Sequence, residues 1–172
     1  GGQGQGRRRG ADLSEVKAQA PRARQHRLES GRVAAMADQY EDLQQSYGRC
    51  LRDKNFIDRF YAVFMASHPS IRPMFKLTDF GQQRVALRHG ISVAILHAAG
   101  SPLSKRTTER MADVHGSKGR APVDPALYPY WIDSLLQVVG ETDEEATPEL
   151  LVRWRQAMDA VCGTFARRYP AG

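Results

Sequence analysis

Residues 101–116 read SPLSKRTTERMADVHG. The stretch opens on Ser101-Pro102, a helix start in which proline takes the first helical position, where a backbone N–H has no partner to lose. It closes on Gly116, a residue suited to ending a helix. Leu103, Met111 and His115 recur at helical spacing, so the imidazole is expected to face inward with them. The same start signal returns at Asp124-Pro125 and Thr147-Pro148. Three such starts in one stretch of chain predict a body made of helices.

The flanking sequence agrees. Asp79 with Gln82 has the form of a capping box and opens a long stripe of Gln83, Leu87, Ile91, Ala94, Ile95 and Ala98, closed by Gly100. Upstream, Asp38 to Arg52 carries Tyr40, Leu43, Tyr47 and Leu51 at spacings of three and four. Asp53 is placed to cap the next helix, which turns Phe56, Ile57, Phe60, Tyr61 and Phe64 inward until His68-Pro69 breaks it. A short turn, Ser70 to Phe75, follows. Downstream, Leu127, Tyr128, Trp131, Leu135, Leu136 and Val139 form one apolar face. Leu150, Leu151, Trp154, Met158, Val161 and Phe165 form another. No segment alternates as a strand does, and no Asn-Gly or Asp-Gly hairpin turn occurs. Helices of unequal length without a sustained heptad point to a globin-like pack rather than a coiled-coil bundle. The expected fold is all-α, a globin three-over-three helical sandwich of six to eight helices.

With 172 residues the chain can bury one proper core. No apolar run approaches the roughly 18 residues of a membrane span, and GGQGQGRRRG leads into no apolar signal segment. Cys50 and Cys162 lack metal-ligand spacing and fit two buried thiols in a reducing compartment. A cytoplasmic protein is expected. The net charge of +6 is uneven: residues 1–35 carry eight Lys/Arg against three Asp/Glu, the remainder seventeen against sixteen. A basic nucleic-acid face on the body is therefore not supported. Residues 1–35 read as a disordered or weakly helical extension. They could be a basic arm, a solvated tail, or a start-site artefact with translation beginning at Met36. Residues 36–172 read as the folded domain.

The chemistry centres on His115. Alone, such a residue reads as a core histidine bonded to a carbonyl. Taken with Tyr61, Gln83 and Phe75 it suggests a haem between helices. An axial histidine needs Nε2 on iron and its Nδ1–H fixed by an acceptor, and the Met111 carbonyl one turn back is expected to serve. Tyr61 and Gln83 would donate to a ligand opposite. Leu87, one turn on, would close the pocket over iron. Phe75 and Met111 would pack on the porphyrin. His89 is expected to face solvent, and neither His26, His68 nor His97 has a metal-binding companion.

The stretch FYAVFMASHPSIRPMF (60–75), followed by Gln83 to Leu87, resembles the haem domain of bacterial flavohaemoglobins and single-domain bacterial globins. SYGRC (46–50) and LYPYWIDSLL (127–136) resemble short bacterial globins more closely still. The resemblance covers about residues 37–170. It implies haem b, an axial ligand at His115, a distal pair at Tyr61 and Gln83, and haem packing by Phe75. It also implies proximal support from Tyr128. The chain departs from the family in three places. The loop from Gly116 to Val123 is longer, the turn between Phe75 and Gln83 is shorter, and the family's proximal glutamate falls near Tyr169, where no carboxylate stands. No flavin or nicotinamide fingerprint is present.

The expected function is reversible binding of dioxygen, nitric oxide and carbon monoxide. Nitric oxide dioxygenation with a separate reductase is one enzymatic use, and a homodimer is a further expected assembly. Two other readings stand beside it: a gas sensor signalling to a partner through the basic extension, and a helical domain without cofactor in which His115 is only core.

Overall fold

The structure, a computed structural model, describes residues 40–169 and the single positions Gln25, Arg27, Leu28 and Gly31. Those four are helical and exposed. The other expectations for residues 1–35 lie outside the described residues. From Tyr40 onward there are seven α-helices: α1 Glu41–Cys50, α2 Phe56–Ser67, α3 Ile71–Met74, α4 Phe80–Ala98, α5 Pro102–His115, α6 Tyr128–Thr142 and α7 Pro148–Arg168. A 3₁₀ turn, Pro125–Leu127, precedes α6. No strand occurs among the described residues. The expected all-α architecture is thus observed.

Helix α7 is the hub: α4, α5 and α6 all lie against it, while α2 packs chiefly on α6 and α1 reaches α4, α6 and α7. The stripes read from the sequence supply the buried side chains. Phe56, Phe60, Ile91, Leu135, Trp154 and Met158 are all fully buried. Cys50 and Cys162 are buried free thiols, with burial raising both to about 12. Among the described residues no helix is long and apolar enough to cross a membrane.

The helix ends follow the sequence unevenly. Asp79 accepts from the N–H groups of Gly81 and Gln82, and Thr147 accepts from the Leu150 N–H at 3.1 Å. Each satisfies donors that a helix start leaves bare. Gly100, the one described residue with positive φ (73°), ends α4. The Ser101 N–H reaches Leu96 and the Gly100 N–H reaches His97, both at 3.0 Å, the paired bonds of a Schellman stop. Asp53 does not cap α2. The helix begins two residues beyond the Asp53 turn, with Asn55 at the N-cap, and the Asp53 carboxylate takes only the Asn55 N–H at 2.8 Å. Asp124 caps the 3₁₀ turn rather than α6 itself, and Ser101 makes no side-chain cap bond.

Among the described residues the one acidic group in the core is Asp143, at the α6–α7 corner; its side chain is fully buried. Arg49 of α1 grips it with Nε at 2.6 Å from Oδ1 and Nη2 at 2.9 Å from Oδ2. Ser46 donates to Oδ2 at 2.6 Å, and the Trp154 indole donates in turn to the Ser46 hydroxyl at 3.0 Å. The corner closes on itself, with the Glu145 N–H on Oδ1 at 3.1 Å. Every lone pair of a buried carboxylate needs such a partner. The Arg49 bond, followed by the Ser46 bond, outweighs burial and lowers the Asp143 carboxyl from 3.8 to about 2. A carboxyl depressed on folding stabilises the fold above its unfolded value and loses that contribution as pH falls through the folded value. Stability is therefore expected to decline between about pH 4 and pH 2. Asp143→Asn should cost about 3 kcal/mol at neutral pH, because it strands Arg49, and should flatten the acid decline. Urea denaturation at neutral and acid pH tests both; an unchanged midpoint for the variant contradicts the network's role.

Candidate functional site

Helix α5 lies against both α4 and α7 and buries a stripe of small residues, Ser104, Thr108 and Ala112, at i, i+4 spacing. Leu103 does not join that face, contrary to expectation: it is 87% exposed. Eight residues separate Leu103 from Met111, which rotates it well away from the Met111–His115 side of the helix. Met111 is half-buried, and a Cβ placed on Gly90 of α4 would sit 3.3 Å from its terminal methyl. The glycine thus makes room for Met111 between α4 and α5.

His115 is the last residue of α5 and is half-buried. Its Nδ1 lies 3.1 Å from the carbonyl oxygen of Ala121. A carbonyl only accepts, so Nδ1 carries the proton and Nε2 keeps its lone pair. The expected acceptor, the Met111 carbonyl, is not the one used. Within a helix that oxygen already receives the His115 N–H, and the loop brings another. Burial, chiefly, holds His115 below the ordinary imidazole value; the Arg120 charge acts the same way and the Ala121 bond opposes them. The ring sits 5.6 Å from Phe165 of α7, and Phe165 in turn meets Tyr128 edge-on at 6.0 Å. His115 and Tyr128 thus share Phe165 as a ring neighbour, and the buried Tyr128 hydroxyl has no hydrogen-bond partner among the described residues.

A second aromatic group forms between α2 and the start of α4. Tyr61 is 3% exposed, and its hydroxyl donates to the backbone carbonyl of Gln83 at 3.2 Å. Burial, partly offset by the Gln83 bond and the Arg84 charge, raises the phenol to about 12, so it is a donor at any ordinary pH. Phe60, Phe75 and Phe80 surround it with ring centroids 5.2, 5.7 and 5.5 Å away. Phe75 stacks on Phe80 at 6.0 Å, and Phe60 leads on to Trp131 of α6 at 5.9 Å. Gln83 is half-buried, and its side-chain amide lies close enough to the Tyr61 phenol to act on its titration. Leu87, one turn on, is buried.

Tyr61, Phe75 and Gln83 are thus brought together, as are His115 and Met111 on α5. No hydrogen bond or ring contact joins the two groups among the described residues. Phe80, Phe165 and Ala121 were not anticipated at the site. Phe80 carried a usable signal, three residues before Gln83 and so on the same helix face. Ala121 carried none, because its contribution is a carbonyl that every residue has. His89 is exposed, as expected. His97 is half-buried against Thr164, Nε2 to Oγ1 3.3 Å. No cluster of three His, Cys, Asp or Glu able to hold a bare metal ion occurs among the described residues. Two open grooves of about 440 and 450 Å³ lie elsewhere, along α6–α7 and α2–α6.

The chain is similar to the crystal structure of a Pseudomonas aeruginosa PAO1 protein described as structurally highly homologous to a human haemoglobin. The two share 34% sequence identity with a TM-score of 0.71, over 79% of this chain and 99% of that one. The chain belongs to that protein's globin-like family. No family model and no curated protein matches.

For this member of the family, Tyr61→Phe should remove one part-buried hydrogen bond and leave the Gln83 carbonyl unpaired by it. A loss of about 1 kcal/mol in unfolding free energy is expected. Thermal and urea unfolding of the two proteins measure it, and equal stability would show that the bond contributes nothing.

Proposed function

We propose that this protein is a haem-binding globin in which His115 is the axial ligand and Tyr61 and Gln83 stabilise a diatomic gas. The observation that carries the reading is the state of His115. Its Nδ1 proton is committed to a main-chain carbonyl, which leaves Nε2 as the one imidazole nitrogen free to coordinate. A porphyrin brings four nitrogen ligands of its own, so a single imidazole suffices. Half-buried Phe75, Phe80, Met111, Val123, Leu127 and Trp131 pack against the core without being enclosed, which suits the faces of a large flat apolar group. Haem b held there would supply an iron with one position open to dioxygen, nitric oxide or carbon monoxide.

The rest is work for side chains. The Tyr61 proton now goes to the Gln83 carbonyl, and a short turn of the hydroxyl could direct it to a ligand instead. The Gln83 amide, which already acts on the Tyr61 phenol, can donate beside it. A hydrogen bond to a charged acceptor contributes about 1.5–3 kcal/mol, a tenfold to hundredfold effect on ligand release at about 1.4 kcal/mol per decade. Leu87 would exclude water. A neutral carbonyl against Nδ1, with no carboxylate where the flavohaemoglobin family carries its glutamate, keeps the imidazole from gaining imidazolate character. That favours reversible binding over cleavage of a peroxide-like species. Nitric oxide consumption would need a separate reductase.

Two measurements test the reading. Haemin titrated into the protein should produce an intense Soret band, and His115→Ala should abolish the histidine-ligated ferrous spectrum; a protein that takes up no haemin ends the proposal. Tyr61→Phe should raise the dioxygen dissociation rate about tenfold or more, read by stopped-flow, and an unchanged rate would remove the phenol from the ligand site.

A further inference from the structure

The loop 116–123 was singled out by its length, and the structure shows it folded back on the end of α5. The Ala121 N–H donates to the Val114 carbonyl and the Val123 N–H to the His115 carbonyl, both at 3.0 Å. These are two of the four carbonyls that a helix end leaves bare. The Gly119 N–H closes the loop internally on Gly116 at 2.8 Å. Between the two outer bonds the Ala121 carbonyl meets Nδ1 of His115 at 3.1 Å. Pro122 follows Ala121, and a residue before proline is held extended.

Gly119 makes the fold-back possible. A Cβ there would overlap the carbonyl oxygens of Val114 and Asp113, with the Val114 carbonyl carbon at 2.6 Å. Those atoms are helix backbone and cannot swing aside, so any side chain at 119 must lift the loop from α5.

We propose that the loop 116–123 is a latch that fixes the rotation and tautomer of the His115 ring through the Ala121 carbonyl, with Gly119 the positioning residue that lets it close. The proposal deepens the haem reading and rests on it for its purpose, but the latch is a property of the protein alone. With the latch closed, Nδ1 is protonated and Nε2 is presented bare. With it lifted, the ring is free to rotate and to exchange its proton between the two nitrogens.

The test reads the tautomer directly. Long-range ¹H–¹⁵N correlation spectra of the full chain, without added haemin, should show His115 as a single Nδ1-protonated form. Gly119→Ala should give a mixture with the Nε2-protonated form while far-ultraviolet circular dichroism stays helical. If Gly119→Ala does not fold, Pro122→Gly, which adds no atoms, should move the ring in the same direction. A His115 tautomer that is Nε2-protonated in the wild type, or that neither variant changes, overturns the latch. A parallel haemin titration separates the two readings. Failure to bind haemin with a fixed Nδ1–H form defeats only the haem reading. Haemin binding with a ring indifferent to both variants defeats only the latch.

Discussion

A carboxylate buried without water must have its charge and its lone pairs met by protein, and Asp143 is that group here. Meeting them draws Arg49 and Ser46 from α1 and binds Trp154 of α7 through Ser46. Helix α1 is thereby fixed to the α6–α7 corner and to α7, about a hundred residues further along the chain. Helix α7 then runs on from Trp154 to Phe165, the side chain against which His115 rests. The seat of the imidazole is set by a rigid helix whose start is anchored by an ion pair at the other end of the fold.

Much of this was legible in the sequence because helices announce themselves by spacing and by caps. Thr147 and Asp79 do what their side chains suggest, and the buried faces of α4, α6 and α7 follow their apolar stripes. The misreadings share a cause: position relative to a helix end decides what a residue does, and sequence fixes ends poorly. Asp53 stands two residues short of the N-cap. Asp124 meets a 3₁₀ turn instead of α6. Leu103 lies in the first turn of α5 on the side away from its buried face, which belongs to Ser104, Thr108 and Ala112. Small residues give no hydrophobic signal, yet they are what close helix contacts require.

The site divides in the same way. The Tyr61, Phe75 and Gln83 grouping rests on large side chains, and resemblance to known globins pointed to it. Phe80 completes that group and went unnoticed because it sits at the first turn of α4, beside a capping residue that dominates the local reading. Around His115, support from Tyr128 was expected, and both rings contact Phe165. The acceptor came from the loop, where a periodicity argument has nothing to say.

That acceptor is main chain, and the distinction bears on how this protein tolerates sequence drift. Substituting Ala121 leaves a carbonyl in place, so the chemistry facing the imidazole is insulated from ordinary mutation at the very residue that provides it. The vulnerability is displaced two positions away, onto a glycine that touches neither the ring nor anything the ring would hold. Variation among descendants of this chain should therefore run freely at 121 and be arrested at 119.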